Sequence, residues 1–311
     1  MYLVCGEALF DFFLDEEDGP GAATYQARAG GSPFNVAIGL SRLGQRSGLL
    51  TGMSTDMLGQ RLRQVLEAEG VETGYLVDTD RKTTISLVGL DAEGSPAYQF
   101  YGQNSADVSL TIDELPPLGD EVMGLHLGSY SIAARPVADA LEQAVSWARA
   151  RFISLDPNVR PTVEPDMEIW ADRIARLLPY ADLIKISRED MDIVYPGRAP
   201  ADLAADWMAA GVHVVIVTDG GDAVHGWTRD GSNVSVTPPK IKVVDAVGAG
   251  DTFQAAILAE LGIDGDPLGA IAALDAERFE TLLRYAATAA AVTCTRRGAD
   301  MPRRDDIKIE G

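Results

Sequence analysis

A run of small residues ends in an acid at Gly248-Ala249-Gly250-Asp251, and the residues from 252 to 261 follow a helical pattern. The first N–H groups of a helix lack intrahelical partners, and the helix dipole makes that end positive. Since glycines let a ligand approach the backbone, the turn predicts a site for a transferring phosphoryl group. Asp251, at the mouth of this site, could accept the proton of a substrate hydroxyl. The alternative is that Asp251 only caps the helix.

The turn does not match two well-known anion-binding motifs, the P-loop and the dinucleotide-binding fingerprint. A predicted short strand, Lys242-Val243-Val244, and a second acid, Asp245, precede the turn. No Lys-Ser or Lys-Thr pair follows the glycines, which argues against a P-loop. A dinucleotide-binding fingerprint belongs in a first βα unit, whereas this turn lies near the end of the chain. The turn therefore indicates an anion site that is neither a P-loop nor a dinucleotide-binding fingerprint.

Short apolar runs separated by helical patterns make up most of the chain and predict an α/β fold. The predicted strands cover residues 2–5, 47–51, 124–127, 152–155, 183–186 and 212–218. The predicted helices between them cover residues 34–43, 57–69, 136–150, 168–178 and 203–210. Strands that alternate with helices form right-handed βαβ units, so we expect a mostly parallel central sheet with helices on both faces.

The segment from 84 to 101 breaks this rhythm because apolar and polar residues alternate along it. The alternation predicts a β-hairpin that turns at residues 92–96. Together with residues 10–14 and 24–27 it predicts a small separate sheet that could act as a lid. The alternative is a β excursion at the rim of the main sheet. We expect one domain over residues 1–311, with the lid contributed by about 10–28 and 84–105.

The charge of the chain excludes several classes of partner. Asp and Glu number 47 against 26 Lys and Arg, for a formal net charge of -21. Nucleic acids and anionic membranes attract clusters of Lys and Arg, so neither is an expected partner. The sequence contains no apolar run near the ~20 residues of a membrane span, and its start lacks a basic signal-peptide region. We therefore expect a cytoplasmic protein, in which local donors and a metal ion would meet an anionic substrate.

The turn belongs to a longer motif, Asp-Ala-Val-Gly-Ala-Gly-Asp-Thr-Phe at 245–253, which resembles the C-terminal signature of the ribokinase-like (PfkB) carbohydrate kinases. Residues 29–37, Ala-Gly-Gly-Ser-Pro-Phe-Asn-Val-Ala, resemble the N-terminal signature of the same family. The two motifs stand in the family's order, and the resemblance covers essentially the whole chain. It implies a ribokinase-like fold that phosphorylates a sugar with ATP and Mg²⁺.

The resemblance implies roles for the residues that match the two signatures. Asp251 matches the base that deprotonates the sugar hydroxyl, and Gly248, Ala249 and Gly250 match the anion hole. The positions that match sugar-binding residues are Asp11, Gly30, Gly31 and Asn35. From the residues alone, a plain turn at the glycine pair and a solvated strand-end acid at Asp11 remain alternatives.

A third motif, Asp-Pro-Asn-Val-Arg at 156–160, follows a predicted strand, and ligands of parallel sheets bind at such strand ends. It resembles the corresponding loop of bacterial fructokinases and keto-deoxygluconate kinases. The resemblance implies that Asn158 lies near the sugar and that Arg160 lies near the transferring phosphate. The guanidinium fork of Arg suits phosphate oxygens because it donates two parallel hydrogen bonds.

The resemblance also implies a nucleotide and metal side. The candidates for ATP contacts are Lys185, Ser187, Thr218, Gly220, Gly248 and Gly250. The family's Asn-x-x-Glu metal motif reads Ser187 to Asp190 here, so Asp190 or Glu189 would order the waters of Mg²⁺. An acidic helix start, which the helix dipole favours, is the alternative. Relatives often bind a monovalent cation, and Asp245 and Val247, with the Arg297-Gly298 loop, would hold K⁺.

The lid segment bears on the acceptor. Residues 98–101, Tyr-Gln-Phe-Tyr, and 105–110 resemble the fructokinase pattern, with Tyr98 and Phe100 as candidate sugar contacts, although Val108 replaces the usual Arg. Residues 84–101 contain no basic group that would neutralise the carboxylate of keto-deoxygluconate. We therefore expect transfer to a primary hydroxyl of fructose, in a homodimer formed through the lid. Keto-deoxygluconate, ribose or a nucleoside as acceptor, and a sugar-binding protein without catalysis, are the alternatives.

Overall fold

Thirteen strands and nine α-helices are present in the part of the chain that the computed structural model describes. That part is residues 1–17, 19, 21–90 and 96–308, apart from the side chains of residues 17, 90 and 96–98. The strands are β1 (Tyr2–Cys5), β2 (Leu9–Glu17), β3 (Ala23–Gly30), β4 (Ser47–Ser54), β5 (Leu76–Thr79), β6 (Thr84–Leu90), β7 (Pro96–Tyr101), β8 (Gly124–Gly128), β9 (Phe152–Asp156), β10 (Leu183–Ser187), β11 (Val214–Asp219), β12 (Ala223–Thr228) and β13 (Asn233–Val236). The helices are α1 (Ser32–Arg42), α2 (Met57–Ala68), α3 (Val137–Trp147), α4 (Met167–Leu177), α5 (Arg188–Val194), α6 (Pro200–Ala210), α7 (Ala249–Leu261), α8 (Pro267–Ala272) and α9 (Ala276–Cys294).

The main sheet has nine strands in the order β13-β12-β11-β10-β9-β8-β1-β4-β5. The strands from β11 to β5 pair in parallel, and β12 and β13 add an antiparallel hairpin at one edge. The predicted mostly parallel sheet is therefore confirmed. Its order places the carboxyl ends of β1, β9 and β10 along one edge, where the candidate site residues follow.

Two hydrophobic clusters cover the two faces of this sheet. In β1, Leu3 packs into the cluster that contains Trp170 of α4, whereas Tyr2 packs into the cluster that contains Phe34 of α1 and Phe253 of α7. Alternate residues of a strand point to opposite faces, so a continuous apolar run is buried on both sides. The helices therefore lie on both faces of the sheet, as the alternating pattern predicts.

A second sheet has four strands in the order β3-β2-β6-β7. Strands β2 and β6 are parallel, and the other two pairs are antiparallel. These strands are hydrogen-bonded to one another as their own sheet, so the prediction of a separate small sheet is confirmed and a rim excursion of the main sheet is wrong. We call this sheet the lid sheet. Of the predicted hairpin turn at 92–96, residues 92–95 lie outside the described residues.

The strand predicted at Lys242-Val243-Val244 is wrong. The segment is irregular, and its backbone pairs with the end of a helix, since the Val244 N–H donates to the carbonyl of Cys294 at 2.8 Å. The helix after it begins at Ala249, three residues earlier than its apolar pattern indicates. Among the described residues, no helix is long and apolar enough to cross a membrane.

Candidate active site

The N-terminal turn of α7 has a backbone that favours glycine. Gly248 is the N-cap with φ of 78°, in the left-handed region. A Cβ on Gly248 would lie 2.6 Å from the Cβ of Ala299, and a Cβ on Gly250 would lie 3.3 Å from Nζ of Lys185. Within the described residues no side chain caps this helix. The turn thus combines a helix N-terminus with a nearby ammonium group, which is an arrangement that attracts anions.

Asp251 lies in the first turn of α7 and is only 8% exposed. The Ser32 hydroxyl donates to its Oδ1 at 2.7 Å, and the Asn35 amide donates to its Oδ2 at 2.8 Å. Burial raises the pKa of Asp251, while these hydrogen bonds and the charge of Lys185 oppose the rise. Because the N-cap is Gly248 and the carboxylate faces α1, the alternative that Asp251 merely caps α7 is wrong.

The glycine pair before α1 packs tightly against two acids. A Cβ on Gly30 would lie 2.7 Å from Oδ2 of Asp11, and a Cβ on Gly31 would lie 2.8 Å from the carbonyl oxygen of Glu7. Gly31 also has φ of 109°, which L side chains rarely adopt. The pair is therefore more than a plain turn, since it lets the chain pass close to both acids.

Asp11 and Arg160 come together from opposite parts of the chain. Asp11 is half-buried in β2, and burial raises its pKa, while the guanidinium of Arg160 opposes that rise. Arg160 donates to the carbonyl of Val159 at 2.9 Å, within the loop that follows β9. Asn158 in this loop has φ of 40°, a left-handed conformation that is uncommon for residues other than glycine. The loop is thus held in a defined shape beside Asp11.

A buried ion pair between Lys185 and Asp156 lies close to the α7 turn. Lys185 donates to Oδ2 of Asp156 at 2.6 Å, and the two residues are only 4% and 1% exposed. Oδ1 of Asp156 has no hydrogen-bond partner among the described residues. The Lys185 ammonium thus bonds to Asp156 and lies close to the turn at Gly250.

The predicted Mg²⁺ side is built around Asp190, whose oxygens both accept hydrogen bonds. Ser187 donates to Oδ2 at 2.7 Å, and the Val159 N–H donates to Oδ1 at 3.1 Å. Burial raises the pKa of Asp190, while Arg160 and Lys185 oppose the rise. Glu189 is exposed. In the described part of the chain no three His, Cys, Asp or Glu side chains form a metal cluster.

The residues predicted to hold K⁺ come together around one carboxylate. Asp245 accepts hydrogen bonds from the Val247 N–H at 3.1 Å and from the Gly298 N–H at 2.8 Å. The Arg297 carbonyl, in the same loop as Gly298, accepts a hydrogen bond from Arg28 at 3.1 Å. This carboxylate therefore ties the start of the α7 turn to the loop after α9.

The predicted nucleotide segment is open to solvent. Thr218 is half-buried at the end of β11, and Gly220 is exposed with φ of 50°. Two apolar side chains before the α7 turn are also exposed, Val243 at 60% and Val244 at 53%. Among the described residues these side chains thus lack hydrogen bonds like those that surround Asp251, whereas two other predicted ATP contacts, Lys185 and Ser187, are hydrogen-bonded.

Phe100 is one of the two predicted sugar contacts from the lid. Phe100 of β7 packs edge-on against Tyr130, with ring centroids 6.1 Å apart. Both line a cavity of about 250 Å³, and Val108 is also part of its lining. The side chain of Tyr98 lies outside the described residues.

Sequence reasoning missed three polar residues of the site, Glu7, Ser32 and Asp156. Ser32 and Asp156 lie inside the matched motifs, Ser32 next to Gly31 and Asp156 two residues before Asn158, so their positions carried a usable signal. Glu7 lies two residues after an apolar strand, which is a weaker signal for a functional acid.

Comparison with known proteins links this geometry to one family. The pattern of the pfkB family carbohydrate kinases matches residues 1–306. A fructokinase of Rhizobium leguminosarum bv. trifolii is 38% identical over 265 residues, which are 85% of this chain and 80% of that protein. A fructokinase of Klebsiella pneumoniae is 31% identical over 98% of this chain and 97% of its own length. The crystal structure of a fructokinase from Xylella fastidiosa with bound ATP matches with a TM-score of 0.90 at 27% identity, covering 98% of this chain and 96% of that one.

Proposed function

This chain belongs to the pfkB family of carbohydrate kinases, and we propose that it transfers the γ-phosphoryl group of ATP to a primary hydroxyl of fructose. The observation that carries the proposal is the pair formed by Asp251 and the α7 turn. A buried carboxylate with a raised pKa, held by Ser32 and Asn35, stands in the first turn of a helix whose N-terminus attracts anions. Fructokinases of two bacteria are 38% and 31% identical to the chain, which supports fructose as the acceptor.

In the proposed reaction Asp251 accepts the proton of the sugar hydroxyl, and the oxygen of that hydroxyl attacks the γ-phosphorus. The new O–P bond forms while the bond from the γ-phosphorus to the bridging oxygen breaks, and ADP leaves. The N–H groups of the turn at Gly248, Ala249 and Gly250 would stabilise the charge on the γ-phosphoryl oxygens. The Lys185 ammonium, close to Gly250, would add a positive charge there. We assign Arg160 to the same phosphoryl oxygens from the opposite side. Catalysis would thus consist of positioning, one proton transfer and charge stabilisation.

The sugar would lie between the glycine pair and the lid sheet. We assign its hydroxyl contacts to Asp11, the backbone at Gly30 and Gly31, Asn35 and Asn158, with Phe100 and Tyr98 from the lid. Two acids border this space, since Asp11 lies close to Gly30 and Asp251 accepts a hydrogen bond from Asn35. An acceptor with its own carboxylate would be repelled by them, which favours a neutral hexose.

ATP would occupy the open side of the site. We assign Ser187, Thr218 and Gly220 to its phosphates and ribose, and the exposed side chains of Val243 and Val244 offer an apolar surface to the adenine ring. ATP is bound in the related Xylella fastidiosa fructokinase, which is 27% identical.

Mg²⁺ and K⁺ fit the donors of the site to different degrees. Mg²⁺ usually keeps several waters and takes phosphate oxygens, so one carboxylate such as Asp190, with Glu189 nearby, suits it without a protein cage. When bound, it would neutralise phosphate charge.

We assign K⁺ to the region of Asp245 and Val247. Replacing K⁺ with a bulky organic cation should lower activity, and unchanged activity would remove K⁺ from the proposal.

We further propose that residues 1–311 form one domain whose lid sheet closes over the sugar, and that the protein is cytoplasmic. Residues 23–27 of β3 are exposed, and Tyr25 among them is 43% exposed. A second copy of the chain could cover this surface, which supports a homodimer formed through the lid. Size-exclusion chromatography with light scattering measures the mass directly, and a monomer would contradict the dimer.

An ADP-release assay tests the main proposal across fructose, ribose, keto-deoxygluconate and adenosine, each with ATP and Mg²⁺. We expect the highest kcat/KM with fructose. A preference for another acceptor would replace fructose, and no turnover with any of the four would favour a non-catalytic sugar-binding protein. Asp251→Asn purified in the same way serves as the control, because turnover lowered by about 10²-fold or more in this variant shows that the wild-type activity comes from this protein and not from a contaminating kinase.

A further inference from the structure

Glu7 is a buried acid for which the proposed reaction has no role. It follows β1 by two residues and is only 1% exposed. Its Oε2 accepts a hydrogen bond from the Ser131 hydroxyl at 2.6 Å, and its Oε1 accepts one from the Ser32 N–H at 3.3 Å. A buried carboxyl group costs free energy unless its hydrogen bonds compensate it, so its presence here calls for a reason.

Helix α1 lacks a cap of its own. Its N-cap is Gly31, which has no side chain, and its first turn contains no acidic residue. Glu7 takes this place from a distant part of the sequence, because its carboxyl group accepts from the Ser32 N–H at the positive end of the helix dipole. The Glu7 backbone also limits Gly31, where a Cβ would lie 2.8 Å from the Glu7 carbonyl oxygen.

The first turn of α1 carries both hydrogen-bond donors to Asp251. Ser32 donates to Oδ1 and Asn35 to Oδ2, so these two contacts define the orientation of the carboxyl group. We propose that Glu7 is a positioning residue, which caps α1 and, through Ser32 and Asn35, holds Asp251 in the orientation that accepts the sugar proton. This inference rests on the proposed kinase function and adds a residue to it.

The proposal concerns geometry, and Gln is therefore the informative replacement. The Gln carbonyl can accept from the Ser32 N–H, while its amide can donate to the Ser131 hydroxyl, which then acts as acceptor. Glu7→Ala removes both contacts and leaves α1 uncapped. Burial raises the pKa of Glu7 to about 7, so both charge states are present near neutral pH, and a neutral side chain of the same shape should serve.

Four variants test the proposal in steady-state kinetics: Glu7→Ala, Glu7→Gln, Ser32→Ala and the double variant of Glu7→Ala with Ser32→Ala. We expect Glu7→Ala to lower kcat by about 10- to 100-fold, the scale of a misplacement near 1 Å, with the KM for ATP changed less than about threefold. Glu7→Gln should keep kcat within about threefold of wild type. If Glu7 acts through Ser32, Glu7→Ala should have a clearly smaller effect once Ser32 is Ala.

Three results would overturn the positioning role: full kcat in Glu7→Ala, equal losses in Glu7→Ala and Glu7→Gln, or effects of Glu7 and Ser32 that multiply independently. If Glu7→Ala does not fold, Ser131→Ala takes its place, because it removes one contact of Glu7 and leaves the carboxyl group in place. It should lower kcat by about threefold or more, and less when Ser32 is Ala. Full kcat in Ser131→Ala would then count against the proposal.

The two proposals fail in different ways. The proposed function is judged on the acceptor that wild-type protein prefers, and absence of fructose turnover contradicts it. The role of Glu7 is judged on the ratio of variant to wild-type kcat with whichever acceptor the wild type phosphorylates. A preference for ribose would therefore remove fructose and leave the test of Glu7 intact.

Discussion

The proposed sugar side of the site, around Asp251 and Asn35, is buried and hydrogen-bonded, whereas the part of the proposed nucleotide side around Gly220 and Val243 is exposed. The sugar side joins the first turns of α1 and α7, which belong to opposite ends of the chain. The nucleotide side consists of a strand end and an irregular segment. The groups that we propose to act on the sugar hydroxyl are thus held by hydrogen bonds within the protein, whereas Gly220 and Val243 have no comparable buried contacts among the described residues. Substitutions on the two sides should therefore affect different kinetic constants.

Asp251→Asn, on the proposed sugar side, should have the largest effect of the substitutions and should lower kcat. The variant keeps the shape of the side chain and loses the proposed base, so we expect kcat to fall by about 10²- to 10⁴-fold. Fructose affinity, measured by calorimetry, should stay within a few-fold of wild type. Turnover close to that of wild type would show that another group accepts the proton.

Lys185→Met tests the buried ion pair between Lys185 and Asp156. Removing the ammonium leaves Asp156 buried without its partner, and breaking such a pair costs about 3 to 5 kcal/mol. Urea unfolding followed by circular dichroism measures the loss. The double variant of Lys185→Met with Asp156→Leu is the matched control, because it removes both charges and should recover most of the stability. A single variant as stable as wild type would argue that the pair is hydrated.

Glu7→Gln should change how stability depends on pH. The pKa of Glu7 is raised from an ordinary 4.5 to about 7 by burial, so between these values the unfolded chain releases the proton while the folded protein keeps it. Stability from this group is therefore full below pH 4.5 and is lost as pH rises to about 7, by up to roughly 3 kcal/mol. The variant lacks this loss, while the other acids are present in both proteins. Unfolding free energies at pH 5 and pH 8 give the comparison, and equal pH dependence would mean that Glu7 titrates normally.

Val243→Ser should have the smallest effect and should be confined to the nucleotide side. If the adenine ring covers this exposed side chain, losing part of that apolar contact costs about 1 kcal/mol and raises the KM for ATP about fivefold. The KM for fructose should not change. Ile263→Ser is the matched control, since Ile263 is 55% exposed just beyond the end of α7. Equal effects of the two variants would remove Val243 from the adenine site.

Most of the fold could be predicted because its signals are local. Apolar runs such as Tyr2–Cys5 are buried on both faces of the sheet, and a run of this kind between helical patterns predicts a parallel strand. The segment at Lys242-Val243-Val244 shows where this reasoning fails. Its residues favour a strand, but the end of α9 supplies its hydrogen-bond partner, and no local pattern reports on a distant helix.

The sequence by itself determined the family, the α/β class and the two glycine motifs, because each depends on residue types at fixed spacing. Only the tertiary structure decided how those motifs work together. The contacts from Ser32 and Asn35 to Asp251 span more than two hundred positions, since the pairs are 219 and 216 residues apart. The cap that Glu7 places on α1 and the pair of Lys185 with Asp156 are likewise contacts between separate elements. Spacing along a chain encodes local geometry, whereas the packing of one element on another chooses which distant polar groups meet.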